Sequence, residues 1–368
     1  MNCKYLKCLQ FLGDAKNVLE TRICPFWVYV SVISLAVINL FVLTFTRASL
    51  EYTAAWPQFI VILVLGSVVC YWKRQLVELH QLPYWRVVLM RLCDGLLFLQ
   101  VAWMNIRVFN HLTMMAPFPY VDDLLLGWDR LLALPWREYF EFIHSKPFLI
   151  ALLDASYTSL STLSLVALVV LCAMKDGRRA RFFVEAFFAT ALICTAVGAA
   201  FPAKAAVAML VPDIASFTNF IYAPGVYHLP HMEALRDIAV PVVLDLYNLP
   251  GLVTFPSFHT AAGVLLATAF WRTRLFAPVL VYAIVMIAST PIFGGHYFVD
   301  LLVGLLVAAS VSAIVATQPI YSGMFGSKEL TYPKKIGGAR NQKPLLPDRP
   351  GVFHLSNQQG PESSGKQA

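Results

Sequence analysis

The sequence predicts an all-α polytopic membrane protein with about eight transmembrane helices. Three observations carry that reading. Of 368 residues, 58% are hydrophobic and only 13% are charged, against about 25% charged in an ordinary soluble domain. The apolar residues fall in runs of membrane-crossing length, separated by short polar stretches. Basic residues gather at alternate ends of those runs. Lipid cannot satisfy backbone N–H and C=O groups, so runs of this kind are expected as helices.

Taken in order, the spans fall at about 25–45, 56–72, 86–108, 148–173, 182–201, 259–272, 275–293 and 296–317. No clear small-residue cleavage site follows the first, which is read as a permanent helix rather than a signal. The second is short. Only the "WRTR" of residues 271–274 separates the sixth from the seventh. Lys4, Lys7 and Lys16 precede span one, and Lys73 and Arg74 follow span two. Lys175, Arg178, Arg179 and Arg181 follow span four, Arg272 and Arg274 span six, and Lys334, Lys335 and Arg340 span eight. With eight spans all five groups share one side, which the positive-inside rule assigns to the cytoplasm. This distribution accounts for the net charge of +7 and excludes nucleic acid as a partner.

The chain then divides into a cytoplasmic segment 1–24, N-terminal transmembrane helices 25–108, a region 109–317, and a disordered cytoplasmic tail 318–368. The tail is rich in Gly, Pro, Ser, Lys and Gln and too poor in apolar surface to fold alone. Within 109–147, "VDDLLLGWDRLLALPWREYFEFI" repeats leucines and aromatics at helical spacing beside charges. That pattern predicts an amphipathic helix on the external membrane surface. The seven cysteines show no metal-ligand spacing and are read as small packing residues.

Two polar clusters stand at external span ends. In "GGHYFVD", His296 and Asp300 lie four apart and share a helix face. A carboxylate there fixes the imidazole tautomer, raises its basicity and frees the other nitrogen for attack on phosphorus. Gly294 and Gly295 allow the backbone close to a ligand. In "PSFHT", Ser257 precedes a helix N-terminus that favours an anion, and His259 is placed for general-acid work. Lys204, at the end of span five, belongs to the same face. "YHLPHMEALRD" holds His228, His231 and Glu233, but the spacing is wrong for a zinc site. Neither a metal nor a cofactor is expected.

"PSFHT" and "GGHYFVD" resemble the second and third signature motifs of the type 2 phosphatidic acid phosphatase superfamily. Within it they are similar to the branch containing inositol phosphorylceramide synthases. The resemblance covers roughly residues 110–317 and implies a six-helix core and a metal-free phosphohistidine mechanism. On that pattern His296 is the nucleophile, Asp300 its orienting carboxylate, and His259 the acid and then the base. Lys204, Ser257, Gly294 and Gly295 would bind phosphate or substrate.

Two positions depart from the pattern. Val211 stands where the first motif has arginine, and Thr290 where the third motif has arginine; Pro212 and Ser289 fit. Arg130, Arg137 and Arg236 in external segments are candidate replacement cations, while Arg91, Asp94 and Arg107 lie in or near span three. The implied partner is a lipid phosphate or phospholipid within the membrane. Lipid phosphatase, headgroup transferase and polyisoprenyl diphosphate phosphatase all fit the three residues. A non-catalytic scaffold and a transporter are the rivals; a transporter would show mid-plane ionisable groups and a repeat. An inner bacterial membrane, with the site facing the periplasm, is the preferred location.

Overall fold

The computed structural model describes residues 23–74, 82–237 and 239–325. Helices α1 (Phe26–Phe45), α2 (Trp56–Arg74) and α3 (Tyr84–Met114) come first. A short pair follows, α4 (Asp122–Leu131) and α5 (Trp136–His144). Then come α6 (Pro147–Thr158), α7 (Leu160–Cys172), α8 (Arg178–Ala200), α9 (Ala206–Leu210) and α10 (Leu229–Arg236). The last three are α11 (Phe258–Ala269), α12 (Phe276–Phe293) and α13 (Phe298–Ala316). Strands β1 (Ala48–Glu51) and β2 (Val242–Asp245) form one parallel ladder, Ala48 opposite Val242. The sequence reading had no place for this ladder.

All eight expected spans are helical, and two have unexpected shapes. Among the described residues six helices are long and apolar enough to cross a membrane, seven if a bent pair counts as one span. That pair is α6 and α7, which meet at 56° around Ser159. The cause is local: Thr158 Oγ1 donates to the Asp154 carbonyl at 2.9 Å and Ser159 Oγ to the Ser156 carbonyl at 3.0 Å. Such back-bonding hydroxyls bend helices. The expected sixth span, α11, has only 12 residues, a rise of about 18 Å. It is a core helix, with Ala261, Ala262, Leu265 and Leu266 buried against α8, α12 and α13.

The segment expected on the membrane surface is two helices, split at Pro135, whose inner face the protein itself covers. Leu125, Trp136, Phe140 and Ile143 are buried, whereas Leu124 and Leu131 face outward. On α3, Asp94 serves the start of α1. It accepts from Ile23 N at 3.2 Å, Cys24 N at 3.0 Å and Tyr29 OH at 2.5 Å. Arg91 donates to the Met174 carbonyl at 3.2 Å.

The tail departs from expectation over its first residues. Pro319–Tyr321 form a 3₁₀ turn, Tyr321 and Met324 are buried, and Tyr321 and Phe325 pack on Phe182. Residues 1–22 of the expected cytoplasmic segment 1–24, and residues 326–368 of the expected tail 318–368, lie outside the described residues.

Candidate active site

The two polar motifs are latched together. Ser257 caps α11, its Oγ accepting from Thr260 N at 3.4 Å, and its own N–H donates to the Asp300 carbonyl at 3.1 Å. Gly304, nearly two turns into α13, lies so close that an added Cβ would stand 2.5 Å from the Ser257 carbonyl oxygen. His259 and His296 therefore open on one cavity of about 210 Å³, with Tyr157, His228, Thr254 and Gly294 in its wall.

His296 is only 3% exposed, and its Nδ1 lies 3.2 Å from Asp300 Oδ2. The same oxygen accepts from Tyr297 N at 3.0 Å. A carboxylate accepts, so Nδ1 carries the hydrogen and Nε2 keeps its lone pair. Burial pushes the imidazole down to about 4, with the Thr254 backbone pulling less strongly the other way. The ring is thus neutral at neutral pH, as a nucleophile requires. A Cβ at Gly294 would stand 2.9 Å from that Nε2, so glycine keeps its approach open. Gly295, at φ 69°, accepts from Ala206 N at 2.7 Å through its carbonyl. A side chain at 295 would run into Gly225.

A second layer of residues fixes this turn, and it comes from α4 and α5. Trp136 Nε1 donates to the His296 carbonyl at 2.9 Å. Asp129 accepts from Phe298 N at 2.9 Å and Val299 N at 2.8 Å, the otherwise unpaired N–H groups that open α13. Burial raises the Asp129 carboxyl, and those two bonds oppose the rise. Asp122 accepts from Lys204 N at 2.9 Å, Ala205 N at 3.2 Å and Tyr297 OH at 3.0 Å. Sequence reasoning missed both aspartates. Their signal was present: two acids seven apart lie on one face of a helix.

Within the cavity His259 stacks on Tyr157 with ring centres 4.0 Å apart. The remaining candidates are dispersed. The Lys204 ammonium lies over the Tyr120 ring at 5.2 Å, and Lys204 is not among the described residues lining the cavity. Its carbonyl pairs at 2.6 Å with Nε2 of His228, a buried cavity residue whose burial pushes it down to about 4. Val211 and Thr290 are both buried, and neither side chain carries a charge. Arg137 pairs with Glu141 at 3.0 Å, and Arg236 donates to the Phe118 carbonyl at 2.8 Å and lies over Tyr120. Neither lines the cavity, nor does Arg130; Arg107 of α3 does. His231 faces His111 edge-on at 6.0 Å. Among the described residues no three His, Cys, Asp or Glu are grouped to hold a metal.

A family model of the PAP2 superfamily matches residues 123–314, more than half of the chain. The chain belongs to the PAP2 superfamily. No curated protein and no solved structure matches it. Membership makes the chain an integral membrane protein of the phosphatase and phosphoesterase type, in keeping with its apolar helices. The matched PAP2 region runs from α4 to α13 and leaves α1–α3 outside.

Proposed function

We propose that this PAP2 member moves a phosphoryl group from a lipid-linked phosphate through a phosphohistidine on His296. The observation that carries the reading is the His296 Nδ1 to Asp300 Oδ2 contact of 3.2 Å, on the wall of the cavity that His259 shares. The neutral ring attacks phosphorus through Nε2, and Asp300 stabilises the imidazolium character that develops. Burial, and to a lesser extent the neighbouring His296, pushes the His259 ring down to about 3. An anionic phosphate bound beside it favours the protonated form, which gives its proton to the leaving alkoxide; the ring then takes one from the incoming water or alcohol. No step calls on a metal.

The acceptor decides between hydrolysis and headgroup transfer. Uncharged Val211 and Thr290 weaken the electrostatic hold on a doubly charged monoester. That favours a phosphodiester substrate and transfer to a lipid alcohol, as in inositol phosphorylceramide synthesis. The cavity opens at the start of α11, whereas Arg179 donates to the Ala269 and Trp271 carbonyls at its other end. Positive-inside charge then puts the reaction on the extracytoplasmic face, the periplasm if the membrane is a bacterial inner membrane.

The test is turnover of labelled phosphatidic acid and, separately, labelled phosphatidylinositol in micelles, with and without EDTA, beside His296→Ala. Headgroup transfer to an added lipid alcohol, indifferent to EDTA and lost in the variant, is the expected result. Free phosphate from the monoester would establish a phosphatase instead. Turnover undiminished by His296→Ala would end the phosphohistidine reading.

A further inference from the structure

Phosphoryl transfer needs positive charge where the equatorial oxygens develop theirs. The two motif positions that would carry guanidiniums hold buried Val211 and Thr290, and the Lys204 ammonium is turned to Tyr120. The cavity is not without a cation, however. Of its described lining residues, Arg107 alone is lysine or arginine.

Arg107 stands on α3, two helical turns before the helix ends at Met114. A guanidinium in a membrane helix is costly and calls for a partner or a purpose. Its Nε donates to the Leu249 carbonyl at 2.5 Å, which fixes the root of the planar group. Its two terminal amino groups have no hydrogen-bond partner among the described residues. Asn110, one turn on, lines the same cavity and uses its Oδ1 to accept from Leu252 N at 3.0 Å. The loop of residues 249–252 is thereby tied to α3 at two points, and Arg107 lines the cavity that His259 and His296 share. Asp245 is the acidic group felt by Arg107, and it lines a different cavity, beside His111 and His231.

We infer that Arg107 is the oxyanion-binding cation of this site, taking over on α3 the charge absent at positions 211 and 290. The inference rests on the phosphotransfer reading. It deepens that reading by giving the phosphate its ligand, and it assigns a substrate-binding role to a helix outside the matched PAP2 region. A planar fork held at Nε offers two parallel N–H donors to two phosphoryl oxygens, which suits arginine better than lysine.

The experiment is equilibrium binding of inorganic orthovanadate to the full-length protein in detergent, by calorimetry, with thermal midpoints recorded in parallel. Arg107→Gln retains an amide that can donate to Leu249 but loses the charge; Arg107→Lys retains the charge but loses the fork. The expected order is wild type, then Lys about tenfold weaker, then Gln about 100-fold weaker. Glutamine binding as tightly as lysine or wild type would show that Arg107 only holds Leu249, and would overturn the inference. A wild type that binds no orthovanadate would overturn it equally. Failure of the phosphohistidine reading looks different: orthovanadate binding stays dependent on Arg107 while substrate turnover ignores His296→Ala.

Discussion

The three helices before residue 115 are alike in composition and unlike in role. In α1 and in the segment holding α2, 22% and 11% of the apolar window is buried, against 39% in α3. Both outer helices pack on α3 and turn the rest of their surface outward, with Ile33, Phe41 and Leu63 exposed. The last turns of α3 instead reach the cavity through Ile106, Arg107 and Asn110. In a bilayer, therefore, apolar content does not separate a lipid-facing helix from one that builds a site. The polar residues do, because each needs a partner inside the protein.

The largest effect should come from the cavity side of that contrast. His296→Ala is expected to lower kcat by about 10⁴-fold or more, since no other group replaces the nucleophile. Steady-state turnover at saturating lipid checks this. Asp300→Asn should cost about 10³-fold, because the amide can hold the wrong tautomer of His296 in place.

The acid limb of kcat/KM should reflect His296 as well. With its folded value near 4 and an unfolded value of about 6.5, attack persists well below pH 6. A limb at about pH 6.5 would mean a solvated ring. The same shift bears on stability. The fold disfavours the proton, so the contribution is whole above about pH 6.5 and is lost progressively as pH falls toward 4, by roughly 3 kcal/mol. Thermal melts between pH 7 and 4 measure it.

Asp129→Asn should be milder, removing about 1–2 kcal/mol of stability and slowing turnover several-fold, because the α13 N–H groups lose a charged acceptor. The smallest effect belongs to the outer helices. Leu63→Ala on α2 should change stability by no more than about 0.5 kcal/mol and leave turnover unaltered. A clear loss there would break the contrast between α2 and α3.

Much of this was readable in the sequence, for identifiable reasons. The spans follow from apolar runs. His259, His296 and Asp300 stand in short motifs whose partners lie within four residues or in adjacent helices. What escaped is built by distance along the chain. Asp129 reaches Val299 across 170 positions and Arg107 reaches Leu249 across 142; the spacing of Asp122 and Asp129 marks a helix face, but no local pattern names the partners that face meets. His228 was weighed only as a metal ligand, although its burial beside Lys204 makes it part of the cavity wall. The break at Ser159 was hidden because hydroxyls inside an apolar run still read as span. The shortness of α11 was legible in the expected bounds 259–272, and the observed helix ends three residues earlier, at Ala269.

The most direct test of the account is to trap the intermediate. The wild type and His259→Ala would be quenched in alkali within one turnover of substrate labelled at phosphorus, then digested and mapped by mass. Base-stable label on the peptide carrying His296 in the wild type, formed more slowly in His259→Ala and absent in His296→Ala, is the expected result. Turnover by the wild type with no label on that peptide in either protein would contradict it.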